Sequence, residues 1–255
     1  MSSSSLVGVV GLSHLGVVAS AGLASLGFHI LDVDPDEGMV HCLEGGEAPF
    51  PEPSLPELLG THRGRLSFTT DFSKLTQCGI VVFGEDTIIT AENEMDLSHV
   101  HELIELMIPH LKPHVSILFM SQVPVGTTRA LKKTIEERRG SDFPFRLHYW
   151  VDVLVVGDAV SRFLKPGRII VGHEREPWDL APEVESLFSA FGCPIFPMNY
   201  ESAELTKSAI NIYLATSVTY ANAMSDLCEA VGADYGQMIP ALRLDPRIGP
   251  ACYIR

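Results

Sequence analysis

VGVVGLSHLGVVASAGLASLG, residues 7–27, runs from four apolar strand-forming positions through a glycine turn into a stretch of small and apolar residues. Val7–Val10 reads as a buried strand and Leu15–Leu26 as a helix. A second strand follows at His29–Val33 and ends in an acid, Asp32. A strand, a glycine turn, a helix and a second strand closing on an acid is the pattern of a dinucleotide-binding βαβ unit. Gly11 permits the tight turn, and Gly16 lets helix and strand approach closely. The amides left free at the helix start, at His14 and Leu15, attract a diphosphate. Asp32 is read as the acid that hydrogen-bonds the ribose hydroxyls, and an acid there repels a 2′-phosphate, so NAD is expected over NADP. Ser13 stands where a second glycine normally lets the backbone approach the diphosphate. Its Cβ and hydroxyl either obstruct that group or donate a hydrogen bond to it.

The rest of the chain is consistent with a globular enzyme-sized fold. It has 255 residues, 46% of them hydrophobic and 20% charged, enough to bury a large core. A formal net charge of −14 excludes a non-specific nucleic-acid binder, which needs a basic face. Cys42, Cys78, Cys193, Cys228 and Cys252 are scattered and form no CxxC pair, which fits reduced thiols and a cytoplasmic setting. His110 and His114 have helical spacing, but Lys112-Pro113 interrupts them and no Cys or carboxylate cluster joins them, so no metal is expected. Leu6–Leu31 carries no charged side chain, yet its glycines and its division into two short strands around a small-residue helix argue for a buried βαβ start and against a membrane span.

Further apolar runs at Leu66–Thr69, Ile80–Phe83, Ser116–Ser121, Arg146–Val151 and Arg168–Val171 alternate with helical patterns at Asp36–Glu44, His99–Leu111, Thr127–Arg138 and Leu180–Phe191. That alternation predicts an α/β fold: a Rossmann-like, doubly wound, mostly parallel sheet. From Tyr200 to Val231 there is no Gly or Pro, which predicts a long helix ended by Gly232 and followed by a short one at Tyr235–Leu242. The expected division is a dinucleotide-binding domain over 1–199 and a helical region over 200–255.

Seven further stretches occur in a recurring order: PFPEPSLPELL (49–59), LSFTTDFSKL (66–75), SQVPVGTTR (121–129), PGRIIVG (166–172), SAELTKSAINIYLA (202–215), CEAVGAD (228–234) and DPRIG (245–249). Together with the glycine turn they resemble the UDP-glucose/GDP-mannose dehydrogenase family. The resemblance implies oxidation of the C6 alcohol of a nucleotide sugar to a carboxylate, with NAD as acceptor and a cysteine carrying the thioester. It implies that Lys207 and Asn211, in the Glu-Leu-x-Lys-x-x-x-Asn motif, stabilise oxyanions. It assigns Ser121 to NAD, Leu154 and Arg247 to the substrate, and a homodimer interface to the 200–231 helix.

Several positions depart from the family. The Asn-Pro-Glu-Phe-Leu-x-Glu-Gly run becomes Trp150–Gly157, in which Asp152 keeps a shortened carboxylate as candidate general base and Val156 removes the second glutamate. A water-positioning threonine aligns with Gln122, the lysine before the serine is Met120, and the usual Thr-Pro reads Thr87-Ile88. The family's cysteine loop and C-terminal nucleotide-binding domain have no counterpart in these residues, and Cys252 lacks the surroundings that activate a thiol. Two expectations stay open: the NAD-binding portion of such an oxidoreductase, incompetent alone, or a non-catalytic NAD-binding or interaction protein derived from it.

Overall fold

The computed structural model describes residues 6–249 apart from 93, 153 and 178. In chain order the described elements are β1 (Val7–Val10), α1 (His14–Ser25), β2 (Ile30–Val33), α2 (Glu37–Gly45), α3 (Leu55–Thr61), β3 (Leu66–Thr69), β4 (Ile80–Phe83), β5 (Ile88–Ile89) and β6 (Met95–Asp96). Then come α4 (Ser98–Met107), β7 (Val115–Phe119), α5 (Thr127–Arg139), β8 (Phe145–Trp150), α6 (Ala159–Leu164) and β9 (Ile169–His173). The chain continues through α7 (Pro182–Ser189), β10 (Ile195–Asn199), α8 (Tyr200–Val231) and α9 (Tyr235–Leu244). Two compact units, Met1–Glu204 and Leu205–Arg255, divide the chain within α8.

The first unit is built on one sheet in the order β10-β9-β8-β7-β4-β1-β2-β3. From β3 to β8 all neighbours run parallel, and the order reverses about β1, which lies between β2 and β4. In an open sheet of this kind ligands bind beyond the carboxyl ends of the strands at that reversal. The expected mostly parallel, doubly wound sheet is therefore present, with the glycine turn at its switch point. One core cluster joins β1 to α1, α3, α6 and α7, and a second joins the sheet to α4 and α5, so helices cover both faces. That explains why β1, β4 and β7 are fully buried and apolar but for Ser116 of β7.

Helix α1 is buried along almost its whole length, from Leu15 to Ala24. Its small residues let it lie close to the sheet while α6 packs against its other side. Trp150 fills the space behind, with ring contacts to Phe163, Phe188 and Phe191 at 5.1–5.7 Å.

Several elements go beyond the sequence expectation. Strand β10 reads Ile-Phe-Pro-Met-Asn and contains a proline, which a sheet tolerates at an edge, and β10 is the edge strand. Strand β9 pairs antiparallel with β8, while α3, α6 and the β5–β6 hairpin are short elements without clear periodicity. The helix expected over 99–111 ends at Met107, and a 3₁₀ turn over Ile108–His110 accommodates Pro109.

The first turn of α8 is tied to the sheet unit by polar contacts. Glu204, 1% exposed, accepts from the amides of Gly126 and Thr128 at 2.6 and 2.7 Å and from the Thr128 hydroxyl at 2.7 Å. It thereby caps α5, whose own N-cap is a glycine. The Tyr200 hydroxyl donates to the Leu147 carbonyl at 2.7 Å. In the second unit, α8 and α9 leave Leu205, Ile212, Tyr213, Val218, Leu227, Val231 and Leu244 exposed. No helix among the described residues is long and apolar enough to cross a membrane.

Candidate functional site

The β1–α1 turn is fixed by glycine at two points. Gly11 sits at φ +88°, a conformation that side chains disfavour. A Cβ on Gly16 would fall 1.8 Å from the Gly11 carbonyl oxygen, so only glycine lets α1 start this close to the strand. The Gly11 amide donates to the Val33 carbonyl at 3.1 Å, and the Gly84 amide donates to the Val10 carbonyl at 2.9 Å. The carboxyl ends of β1, β2 and β4 are thus drawn into one crevice at the N-terminus of α1.

The acid expected to read the ribose is closed to solvent in this structure. Asp32 lies within β2, is 0% exposed, and accepts a hydrogen bond from the Ser20 hydroxyl of α1 at 2.8 Å. It is enclosed between strand and helix, and its Oδ1 has no hydrogen-bond partner among the described residues. Burial, only partly countered by the Ser20 hydrogen bond, pushes its pKa up to about 8, so the carboxyl is held neutral at neutral pH. The acid at the end of the strand is Asp34, whose oxygens accept from the Leu12 amide at 2.7 Å and the Asp36 amide at 2.9 Å. Each oxygen keeps a second lone pair for a hydroxyl donor. Both acids satisfy the spacing rule, and strand register alone separates them.

Ser13 neither faces open space nor caps its own helix. Its hydroxyl donates to the Gly84 carbonyl at 3.1 Å and accepts from the Asp86 amide at 2.8 Å. The Leu15 amide, in the first turn of α1, donates to the Asp86 carboxylate at 3.1 Å. Beside it Glu85 is buried, with one oxygen 3.0 Å from His99 Nδ1. Burial and the neighbouring Asp34 and Asp86 carboxylates raise Glu85 above the ordinary carboxylate range, against the opposing pull of His99. Sequence reading placed the altered residues of this segment at Thr87-Ile88 and missed Glu85 and Asp86. Two acids one residue past a wholly apolar strand, after Gly84, are the available signal.

His14 turns to the other side of the turn, where its Nε2 lies 3.0 Å from Glu52 Oε2. Glu52 is buried and also accepts from the Gly157 and Ala159 amides, both at 2.8 Å, tying the Glu-Pro loop to the start of α6. Burial works to raise the Glu52 pKa, but these three hydrogen bonds outweigh it and hold the carboxyl below its usual value. Glu52 is a further residue that the sequence reading left without a role.

The remaining expected site residues fall into two groups. In the sheet unit, Ser121 lies two residues beyond the end of β7 and is fully buried, and its hydroxyl has no hydrogen-bond partner among the described residues. Asp152 and Leu154 line a narrow crevice with Met120 and Trp150, and the Leu154 amide donates to Asp152 at 2.6 Å. Val156, in place of the family's second glutamate, is 81% exposed. In the helical unit, Lys207 is buried and Asn211 exposed, one turn apart on α8. Arg247 is exposed and paired with Asp245 at 2.7 Å. Cys252 lies outside the described residues.

The crevice fits NAD in its frame: a glycine turn, a helix start and a strand-end acid converge at the switch point. Its diphosphate seat does not fit in this arrangement, because the Leu15 amide is taken by the Asp86 carboxylate. No group of three or more His, Cys, Asp or Glu side chains able to hold a metal occurs among the described residues.

The burial of Asp32 has a measurable consequence. Its folded pKa lies above the ordinary value of 3.8, so the stability from this site is complete below about pH 4 and is lost as pH rises toward 8. Asp32→Asn, which needs no proton to stay neutral, raises stability in urea unfolding by about 1–3 kcal/mol at pH 7.5 and by little at pH 4. An equal change at both pH values contradicts a proton held on Asp32.

Comparison with known proteins agrees with this geometry. Residues 5–191 match the NAD-binding domain, and residues 201–254 the central domain, of the UDP-glucose/GDP-mannose dehydrogenase family. Among relatives, UDP-glucose 6-dehydrogenase YwqF of Bacillus subtilis is 30% identical over 94% of this chain and 55% of its own length. The same organism's UDP-glucose 6-dehydrogenase TuaD is 29% identical over 95% of this chain and 53% of its own. The chain thus spans about half the length of these curated relatives. A UDP-glucose dehydrogenase structure from Pyrobaculum islandicum superposes with a TM-score of 0.86 at 27% identity, covering 98% of this chain and 60% of that one. A GDP-mannose dehydrogenase from Pseudomonas aeruginosa shares the fold, with a TM-score of 0.84 at 23% identity over 94% of this chain and 56% of that one. The chain belongs to the UDP-glucose/GDP-mannose dehydrogenase family.

Proposed function

We propose that the chain is the NAD-binding and helical portion of a nucleotide-sugar dehydrogenase-like oxidoreductase, the class that takes the C6 alcohol of a nucleotide sugar to a carboxylate. The observation that carries the reading is the Gly11–Gly16 turn at the sheet's switch point, in a chain matched to this family along nearly its whole length. NAD, when bound, supplies the hydride acceptor. Gly11 and Gly16 shape its turn, its diphosphate takes the α1 N-terminus in place of the Asp86 carboxylate, and Asp34 accepts from its ribose hydroxyls. Ser121 is assigned to the cofactor, Lys207 and Asn211 to stabilising oxyanions, Asp152 to holding a proton as general base, and Leu154 and Arg247 to the nucleotide sugar. A cytoplasmic setting accords with Cys42, Cys78, Cys193 and Cys228 all being free.

The same reading holds that these residues do not complete the reaction alone. Val156 stands exposed where the family has a glutamate, and no cysteine among the described residues lies in the family's nucleophile loop. That exposed valine also favours the second reading, a family-derived protein that keeps the fold as a non-catalytic NAD-binding or interaction partner. A polypeptide of these 255 residues is expected to form no NADH from UDP-glucose and NAD. Sustained NADH formation that is abolished in Lys207→Ala contradicts this.

The partner assigned to α8 is a second copy of the chain. Ile212 and Tyr213 are 65% and 63% exposed on a helix that also leaves Leu205, Val218, Leu227 and Val231 uncovered, an arrangement that favours association. Sedimentation of the intact chain is expected to give a dimer, and the Ile212→Glu, Tyr213→Glu double variant a monomer. A wild-type chain that stays monomeric at high concentration overturns the assignment.

A further inference from the structure

Ser13 and Asp86 form a latch across the mouth of the cofactor crevice. The Ser13 hydroxyl engages both the Gly84 carbonyl and the Asp86 amide, so it fastens the segment after β4 to the glycine turn, 71–73 residues away in sequence. Pinned there, Asp86 accepts the Leu15 amide proton at 3.1 Å. That amide belongs to the first turn of a twelve-residue helix, where no helical carbonyl can satisfy it and the dipole favours an anion. A carboxylate at this point occupies the electrostatic position that a diphosphate oxygen takes in a dinucleotide complex.

A second observation concerns Glu85. It is 7% exposed, and its Oε2 has no hydrogen-bond partner among the described residues. The same oxygen lies 2.7 Å from the point where a Cβ on Gly11 would stand, so it is aimed at the inner side of the turn. A buried carboxylate oxygen without a donor, directed at a ligand-facing turn, is an arrangement a folded chain keeps only at some cost. With Asp34 at the end of β2, three carboxylates surround the place where the diphosphate would carry two further negative charges.

We propose that Asp86, held by Ser13, is an internal occupant of the diphosphate seat which a dinucleotide must displace, so that these two residues set this chain's discrimination against phosphorylated ligands. The proposal rests on the reading that NAD binds at the glycine turn. It gives Ser13 a role distinct from direct contact with the cofactor. The serine stabilises the closed arrangement, and Asp86 supplies the competing charge. Glu85 adds repulsion from behind. Adenosine, which lacks a phosphate, does not compete with Asp86 for the Leu15 amide.

Calorimetric titration of the intact chain with NAD, ADP-ribose and adenosine tests this, using wild type, Asp86→Asn, Ser13→Gly and Asp34→Asn. Asp86→Asn is nearly isosteric and is expected to bind NAD and ADP-ribose roughly tenfold or more tightly than wild type, with adenosine unchanged. Ser13→Gly moves affinity in the same direction, and it carries the test alone should Asp86→Asn not fold. NAD binding that is no tighter in either variant, yet is lost in Asp34→Asn, overturns the latch and leaves the cofactor reading standing. Absence of NAD binding in every variant overturns both. Equal tightening toward adenosine and NAD also overturns the proposal, because it points to general loosening of the crevice.

Discussion

The close approach of α1 to the end of β1 is the constraint on which the rest of the sheet unit depends. With 1.8 Å between the Gly11 carbonyl oxygen and the place of a Gly16 Cβ, no side chain fits. That contact lets a helix of small residues lie against the sheet and be buried along its length. It also sets Ser20 over Asp32 and presents the first amides of the helix at the crevice between β1, β2 and β4. Glu52 braces the same junction from the far side, through His14 and the start of α6. The architecture of the family survives here because its backbone geometry survives.

The chemistry placed on that architecture has drifted further. Backbone-determined features, the turn and the strand order, are intact. Side-chain features at the crevice are not: a serine stands in the turn and two acids follow β4. Away from the crevice, the exposed Val156 stands for a glutamate. The fold therefore retains a shape for a dinucleotide while its surface charge at the diphosphate seat is negative. An electrostatic change of this kind leaves packing untouched, since Asp86 satisfies an amide that would otherwise need water or a ligand.

Much of this was legible in the sequence, for identifiable reasons. Apolar runs at β1, β4 and β7 declare strands covered on both faces, and the Gly- and Pro-free stretch of α8 declares a long helix. The burial of Asp32 was not legible because Ile-Leu-Asp-Val-Asp-Pro-Asp offers acids at alternate positions, and only register and burial show that Asp32 faces α1 while Asp34 follows the strand. Strand β10 was hidden by its proline, and α6 by having only six residues. The Ser13–Asp86 pairing was not legible because it joins residues 73 apart through a hydroxyl and a backbone amide, a contact that leaves no periodic trace.

The central claim is that the α1 N-terminus is one seat contested by Asp86 and the cofactor diphosphate. The most direct measurement is the backbone amide NMR signal of Leu15, followed together with that of Ser20 during titration with NAD. The account predicts that the Leu15 signal shifts along the NAD saturation curve while Ser20, paired with buried Asp32, stays in place. A Leu15 signal that does not move when NAD is fully bound contradicts it.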